Sequence, residues 1–101
     1  MREDYMDKLR ALATHYGLNS QLRKTQEELH ELDFAIRDHL ATPTPKTREN
    51  IVEELTDCEL LFAQLKHLLN IGEEELDLYR EFKTHRQALR LGLKGQTAVG
   101  R

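Results

Sequence analysis

A chain of 101 residues, a third of them charged and with a formal net charge of -3, is long enough for one small domain and has no general attraction for nucleic acid or an anionic membrane. Its one cysteine, Cys58, excludes an internal disulfide and fits a reducing compartment. No apolar run approaches membrane-spanning length, and the N-terminus is charged from Arg2 onward with no signal-peptide core, so a soluble, cytoplasmic protein is expected.

Residues 3–16 carry Tyr5, Leu9, Leu12 and Tyr16 at spacings of three and four, which predicts a first helix. Gly17 suits the stop after it, and Asn19 or Ser20 is the expected cap of the next helix. That helix is expected to run to about Ala41. Leu22, Leu29 and Ile36 recur every seven residues, with Leu18, Leu32 and Leu40 close by, and read as a core seam. The run Thr42-Pro43-Thr44-Pro45 cannot lie inside a helix; Thr44 is the expected cap of a third helix with Pro45 at its first position. This helix is expected to reach about Asn70. Its stripe is Ile51, Leu55, Cys58, Phe62, Leu65 and Leu69, widened by Leu61 and Leu68, and that width implies contacts on more than one side. Cys58 lies on the apolar side and reads as a buried, inert thiol.

Gly72 punctuates, and Glu73, Glu74 and Glu75 favour a helix start through the macrodipole. The fourth helix is expected to reach about Leu91, with Tyr79, Phe82 and Leu89 on one face and Lys83, Arg86 and Arg90 along its edge. Those three cations suit either a helix C-terminus or an anionic ligand. Residues 92–101 hold three of the five glycines and little to bury, and read as a flexible tail. There is no repeat and no sustained strand-like alternation. The class is all-α, with residues 1–91 as one domain. Helices of this length leave apolar surface uncovered unless they pair with another copy.

Two acidic clusters organise the chain. The second helix carries Glu27-Glu28-Leu29-His30-Glu31, and the third carries Glu53-Glu54-Leu55-Thr56-Asp57. Glu28 and Glu31 are three apart, as are Glu54 and Asp57, so each helix presents a carboxylate pair on one face. At about 100° per residue, Glu54 shares its azimuth with Leu61, Leu65 and Leu68, which must face the core. Glu28 borders the apolar stripe beside Ala35. Carboxylates aimed inward must be paired, protonated or bound to metal, and hard cations with oxygen ligands, Mg2+ above all, suit such a cluster. The plain alternative is that Glu54 reaches outward to a lysine and the acidic runs are solvated faces. The histidines His15, His30, His39, His67 and His85 show no zinc-ligand spacing.

The Glu-Glu-x-x-Glu cluster followed, after a gap, by Glu-x-x-Asp resembles the signature of the MazG-like all-α nucleoside triphosphate pyrophosphohydrolases. Tyr16-Gly17 with Gln21, Lys24 and Glu27-Glu28-Leu29, and Asn50 to Asp57 with Gln64-Leu65-Lys66, resemble small phage and bacterial members over roughly residues 16–91. The resemblance implies a four-helix bundle completed by dimerisation, as a homodimer or a dimer of dimers. It implies Mg2+-dependent cleavage of a nucleoside triphosphate between the α and β phosphates, with Mn2+ as a possible substitute. It assigns Glu28, Glu31, Glu54 and Asp57 as metal ligands. On that basis Glu27 or Glu53 is a candidate to accept a water proton. Lys24, Lys83, Arg86 and Arg90 are candidates to meet phosphates. Tyr5, Tyr16 and Tyr79 are candidates to stack on a base. The competing expectation is a non-catalytic helical module for interaction or dimerisation.

Overall fold

A computed structural model describes the backbone of residues 2–92 and the side chains from Tyr5 onward. The described residues form four α-helices and no strand: α1 (Arg2–Tyr16), α2 (Leu18–Ala41), α3 (Pro45–Leu68) and α4 (Glu73–Arg90). None of these helices is long and apolar enough to cross a membrane.

The boundaries follow from local chemistry. Gly17 separates α1 from α2 with φ 86° and ψ 168°, a region essentially confined to glycine. No atom lies within 4 Å of where a Cβ would stand, so the requirement there is conformational rather than steric. Gly17 itself occupies the cap position of α2, which corrects the expectation for Asn19 or Ser20: both lie within the first turn. Glycine costs only a few tenths of a kcal/mol at a cap, so no side-chain cap is needed there. The start of α3 is as expected. Thr44 Oγ1 accepts from the Thr47 N–H at 3.0 Å, Thr47 Oγ1 accepts from the Thr44 N–H at 2.9 Å, and Pro45 begins the helix. His39 Nδ1 lies 2.8 Å from Thr47 Oγ1 and ties the end of α2 to this cap. α3 ends at Leu68, slightly earlier than expected, with Asn70 left-handed at φ 57°.

The chain divides into two compact units, one ending at Asn70 and one starting at Ile71. In the first unit α2 and α3 form the main pairing, and α1 lies against both, more extensively against α3. The pairing is antiparallel: His39 meets Thr47, Glu28 meets Cys58 and Gln21 meets Gln64. Its core is small and consists of Leu9, Ala13, Ala35, Cys58 and Leu61, with the polar residues Gln21, Thr25 and Gln64 buried among them.

This core corrects the expected seams. On α2 the inward line runs Gln21, Thr25, Glu28, Leu32, Ala35 and His39, all buried or half-buried. The heptad Leu22, Leu29 and Ile36 stands one residue, about 100°, around the helix from that line and is exposed, as is Leu40. On α3 Cys58 and Leu61 are buried, while Leu55, Phe62 and Leu69 are exposed. On α1 only Leu9 of the expected stripe is buried; Tyr5, Leu12 and Tyr16 are exposed, and Ala13 is buried instead. Small residues permit close helix approach, so the helices meet along the polar and small faces rather than the leucine-rich ones.

In the second unit, α4 carries Glu73, Glu74 and Glu75 in its first turn, where the macrodipole favours them. Arg80 bonds Asp77 at 2.6 Å and Glu73 at 3.0 Å. Tyr79, Phe82 and Leu89 are exposed, and the Arg86 guanidinium sits 5.2 Å from the Phe82 ring centroid. Gly92 follows with φ 75°. The expected flexible tail lies outside the described residues from position 93 onward.

The cap of α3 yields a stability test. Thr44→Ala removes the Oγ1 that accepts from the Thr47 N–H, while the Thr44 backbone N–H can still donate to Thr47 Oγ1, at a cost of about 1 kcal/mol, which lowers Tm by about 4–8 °C in a domain of this size. Thermal melts of the two proteins check this; equal Tm values would show that the Thr44 side-chain cap contributes nothing.

Candidate metal centre

The antiparallel register of α2 and α3 fixes where the carboxylates fall. Midway along the pair the Cys58 thiol donates to the Glu28 carbonyl at 3.5 Å, so Glu28 stands opposite the turn that carries Glu54 and Asp57. One carboxylate oxygen from each of Glu28, Glu54 and Asp57 lies within 4.8 Å of the other two. Glu31, one turn beyond Glu28, lines the same cleft of about 730 Å³ but stands at its rim, outside that close triad. Lys24, Glu27 and His30 complete its walls.

Glu54 is the centre of the cluster. Its Oε1 is sealed from solvent and has no hydrogen-bond partner, the one such side-chain atom among the described residues. Loss of hydration pushes its carboxyl above the usual range, and Asp57, Glu28, Glu31 and Glu53 push it further in the same direction. Glu28 is also largely covered, its side chain 14% exposed, and pairs with Lys24 at 3.5 Å. Lys24 reaches Glu27 at 3.6 Å as well, and these two carboxylates raise its ammonium pKa. One lysine does not balance this many carboxylates in one cleft.

The donors fit a hard divalent cation. They are all oxygen, they converge, and one is buried with nothing to accept from. Oxygen ligands at about 2.0–2.6 Å from a cation would draw the triad closer together and occupy Glu54 Oε1. Water at the exposed side of Asp57 and Glu31 could complete the coordination. The Cys58 thiol is no competitor: it is fully buried, and burial, then Glu28, Glu54 and Asp57, push its pKa up, away from the reactive thiolate.

The remaining sequence candidates divide clearly. Glu27 and Lys24 line the carboxylate cleft. Glu53 is exposed and lines neither this cleft nor the groove beside it. Lys83, Arg86 and Arg90 belong to α4, in the second unit, where all three are exposed. Tyr16 lines the neighbouring groove together with Leu12, Arg23, Gln21 and Gln64. Sequence reasoning passed over Arg23, Gln21 and Gln64 as site residues. Their signal is positional: Gln21 precedes Glu28 by two helical turns, and Gln64 follows Asp57 by two. His30, read as a surface residue, is exposed and donates from Nδ1 to the Gln26 carbonyl at 2.8 Å, since a carbonyl can only accept.

Compared with known proteins, the chain matches no family model, no curated protein and no solved structure.

Glu54 makes the pH dependence specific. Its folded pKa lies above its ordinary value of 4.5, so between the two the folded chain holds more protons than the unfolded one. Stability of the metal-free protein therefore falls as pH rises through that window. Glu54→Gln, which keeps the shape and removes the charge, is expected to melt close to wild type below pH 4.5 and above it at pH 7, in EDTA throughout. Melting curves at both pH values check the sign; a variant less stable than wild type at pH 7 would contradict it.

Proposed function

We propose that this protein is a Mg2+-dependent nucleoside triphosphate pyrophosphohydrolase that cleaves between the α and β phosphates. The observations that carry the reading are the sealed, partnerless Oε1 of Glu54 and the convergence of one carboxylate oxygen each from Glu54, Glu28 and Asp57, with Glu31 lining the same cleft. A buried carboxylate surrounded by like charges destabilises the fold unless a cation uses it. The resemblance of the two acidic clusters to the MazG-like enzymes supplies the class of reaction.

In this reading Glu28, Glu54, Asp57 and Glu31 hold the cation. A divalent cation there would offset the carboxylate charge, attract phosphate oxygens and acidify a water. Lys24 stands at the mouth of the cleft, where it can exchange its bond to Glu27 for one to a phosphate. Glu27 is better placed than Glu53 to accept a water proton, because it is exposed yet lines the cleft. The exposed heptad Leu22, Leu29 and Ile36 favours assembly of two copies, as a homodimer or a dimer of dimers. The same exposed heptad supports the second reading, a non-catalytic helical module for interaction or dimerisation.

Metal binding and turnover separate the two. Mg2+ is expected to raise the Tm of wild type and to support pyrophosphate release from a nucleoside triphosphate panel. Glu54→Gln and Asp57→Asn are expected to abolish the Tm rise and to lower turnover by at least about 100-fold, since even outer-shell partners of a metal site cost 10–100-fold. Calorimetry showing no Mg2+ or Mn2+ binding, with no pyrophosphate from any nucleotide, would leave the helical module.

A further inference from the structure

The carboxylate cleft has a cation of its own in the side chain of Lys24. Its Nζ lies 3.5 Å from Glu28 Oε2 and 3.6 Å from Glu27 Oε1. Glu31, Glu54 and Asp57 have no ion pair among the described residues, so no other lysine or arginine is bonded to the cluster.

The placement is local to α2. Lys24 stands three residues before Glu27 and four before Glu28, so it meets both one turn along its own helix. A lysine that precedes its glutamate by four is the weaker order for a helical pair, so local preference does little to hold the bond. The two partners differ in what they gain. Glu28 is 14% exposed and belongs to the convergent triad, whereas Glu27 is 68% exposed and well hydrated. Lys24 itself is half-exposed. Leaving Glu28 costs it one of two contacts, and Glu27 remains within reach.

An ammonium serves this cluster incompletely. It brings one charge, and the sealed Glu54 Oε1 receives no donor from it. A divalent cation brings twice the charge and is met by oxygens from several sides at once. Lys24 and such a cation are like charges that draw on the same Glu28 carboxylate, so each weakens the hold of the other.

We propose that Lys24 is the resident counter-ion of the metal-free cleft and thereby sets which cations enter it: a divalent cation displaces it from Glu28, and a monovalent cation does not. The proposal rests on the metal centre of the reading above and adds to it a specificity-determining residue that acts against the cation. Its signature is a pair of opposite signs. Removing the ammonium makes the metal-free chain less stable and the cation more tightly bound.

The full chain tests it as wild type, Lys24→Met and Lys24→Arg. Methionine keeps an unbranched side chain with similar helix propensity and removes the charge; arginine keeps the charge. Thermal melts in EDTA and calorimetric titrations with Mg2+ and Mn2+ are the measurements. Lys24→Met is expected to have the lower Tm in EDTA and to bind Mg2+ about 10-fold more tightly than wild type at low salt. Lys24→Arg is expected to follow wild type in both. Melts in EDTA with NaCl against choline chloride at equal ionic strength read the selectivity. Wild type is expected to melt alike in the two salts, and Lys24→Met is expected to melt higher in NaCl. Three results each overturn this inference and leave the metal centre standing: Mg2+ binding by Lys24→Met no tighter than by wild type, an EDTA Tm not below wild type, or Na+ stabilising wild type as much as the variant. Absence of Mg2+ and Mn2+ binding in all three proteins overturns the metal reading and this inference with it.

Discussion

The side-by-side packing of α2 and α3 in one antiparallel register is the constraint on which the rest depends. It is held at three heights. His39 meets the Thr44–Thr47 cap at one end, the Cys58 thiol reaches the Glu28 carbonyl in the middle, and the Gln21–Gln64 amides close the other end. A shift of one helix by a turn would separate Glu28 from Glu54 and Asp57 and break the Gln21–Gln64 hydrogen bond together. The small residues Ala35 and Cys58 allow the close approach, and the polar contacts select the register.

That register carries an electrostatic penalty. It removes Glu54 Oε1 from water without giving it a donor, and it brings carboxylate oxygens of Asp57 and Glu28 close to the Glu54 carboxylate. A fold selected for stability alone would place an apolar side chain at that position, because a lone buried carboxylate is among the costlier features a core can contain. The penalty is understandable if the site is completed by a cation. Lys24 offsets only part of the charge and remains half-exposed, free to turn toward an anionic ligand at the mouth of the cleft.

The apolar pattern serves a different purpose from the one its periodicity suggests. Leu22, Leu29 and Ile36 have the spacing of a buried seam, yet the register leaves them on the surface of the first unit, with Leu55 and Phe62 exposed on α3. Leu12 and Tyr16 repeat with Leu9, but only Leu9 enters the core while the other two line the groove. Periodicity reports that a helix face is apolar. It does not say whether the neighbour is another helix of the same chain, a ligand or a second copy.

The sequence by itself determined the helices, their punctuation and the inward aim of Glu54. These are local matters: proline and glycine restrict the backbone, Thr44 caps only the helix that starts beside it, and azimuth is a property of one helix. It also gathered Glu28, Glu31, Glu54 and Asp57 as one acidic set. Only the tertiary structure decided that Glu31 stands at the rim while the other three converge, that Glu53 lines neither cleft, and that Gln21 donates to Gln64 across the helix pair. Those facts depend on how far one helix slides and turns against another. A slide of a few ångströms costs little in local propensity and changes every cross-helix distance, so no stretch of sequence read alone contains it.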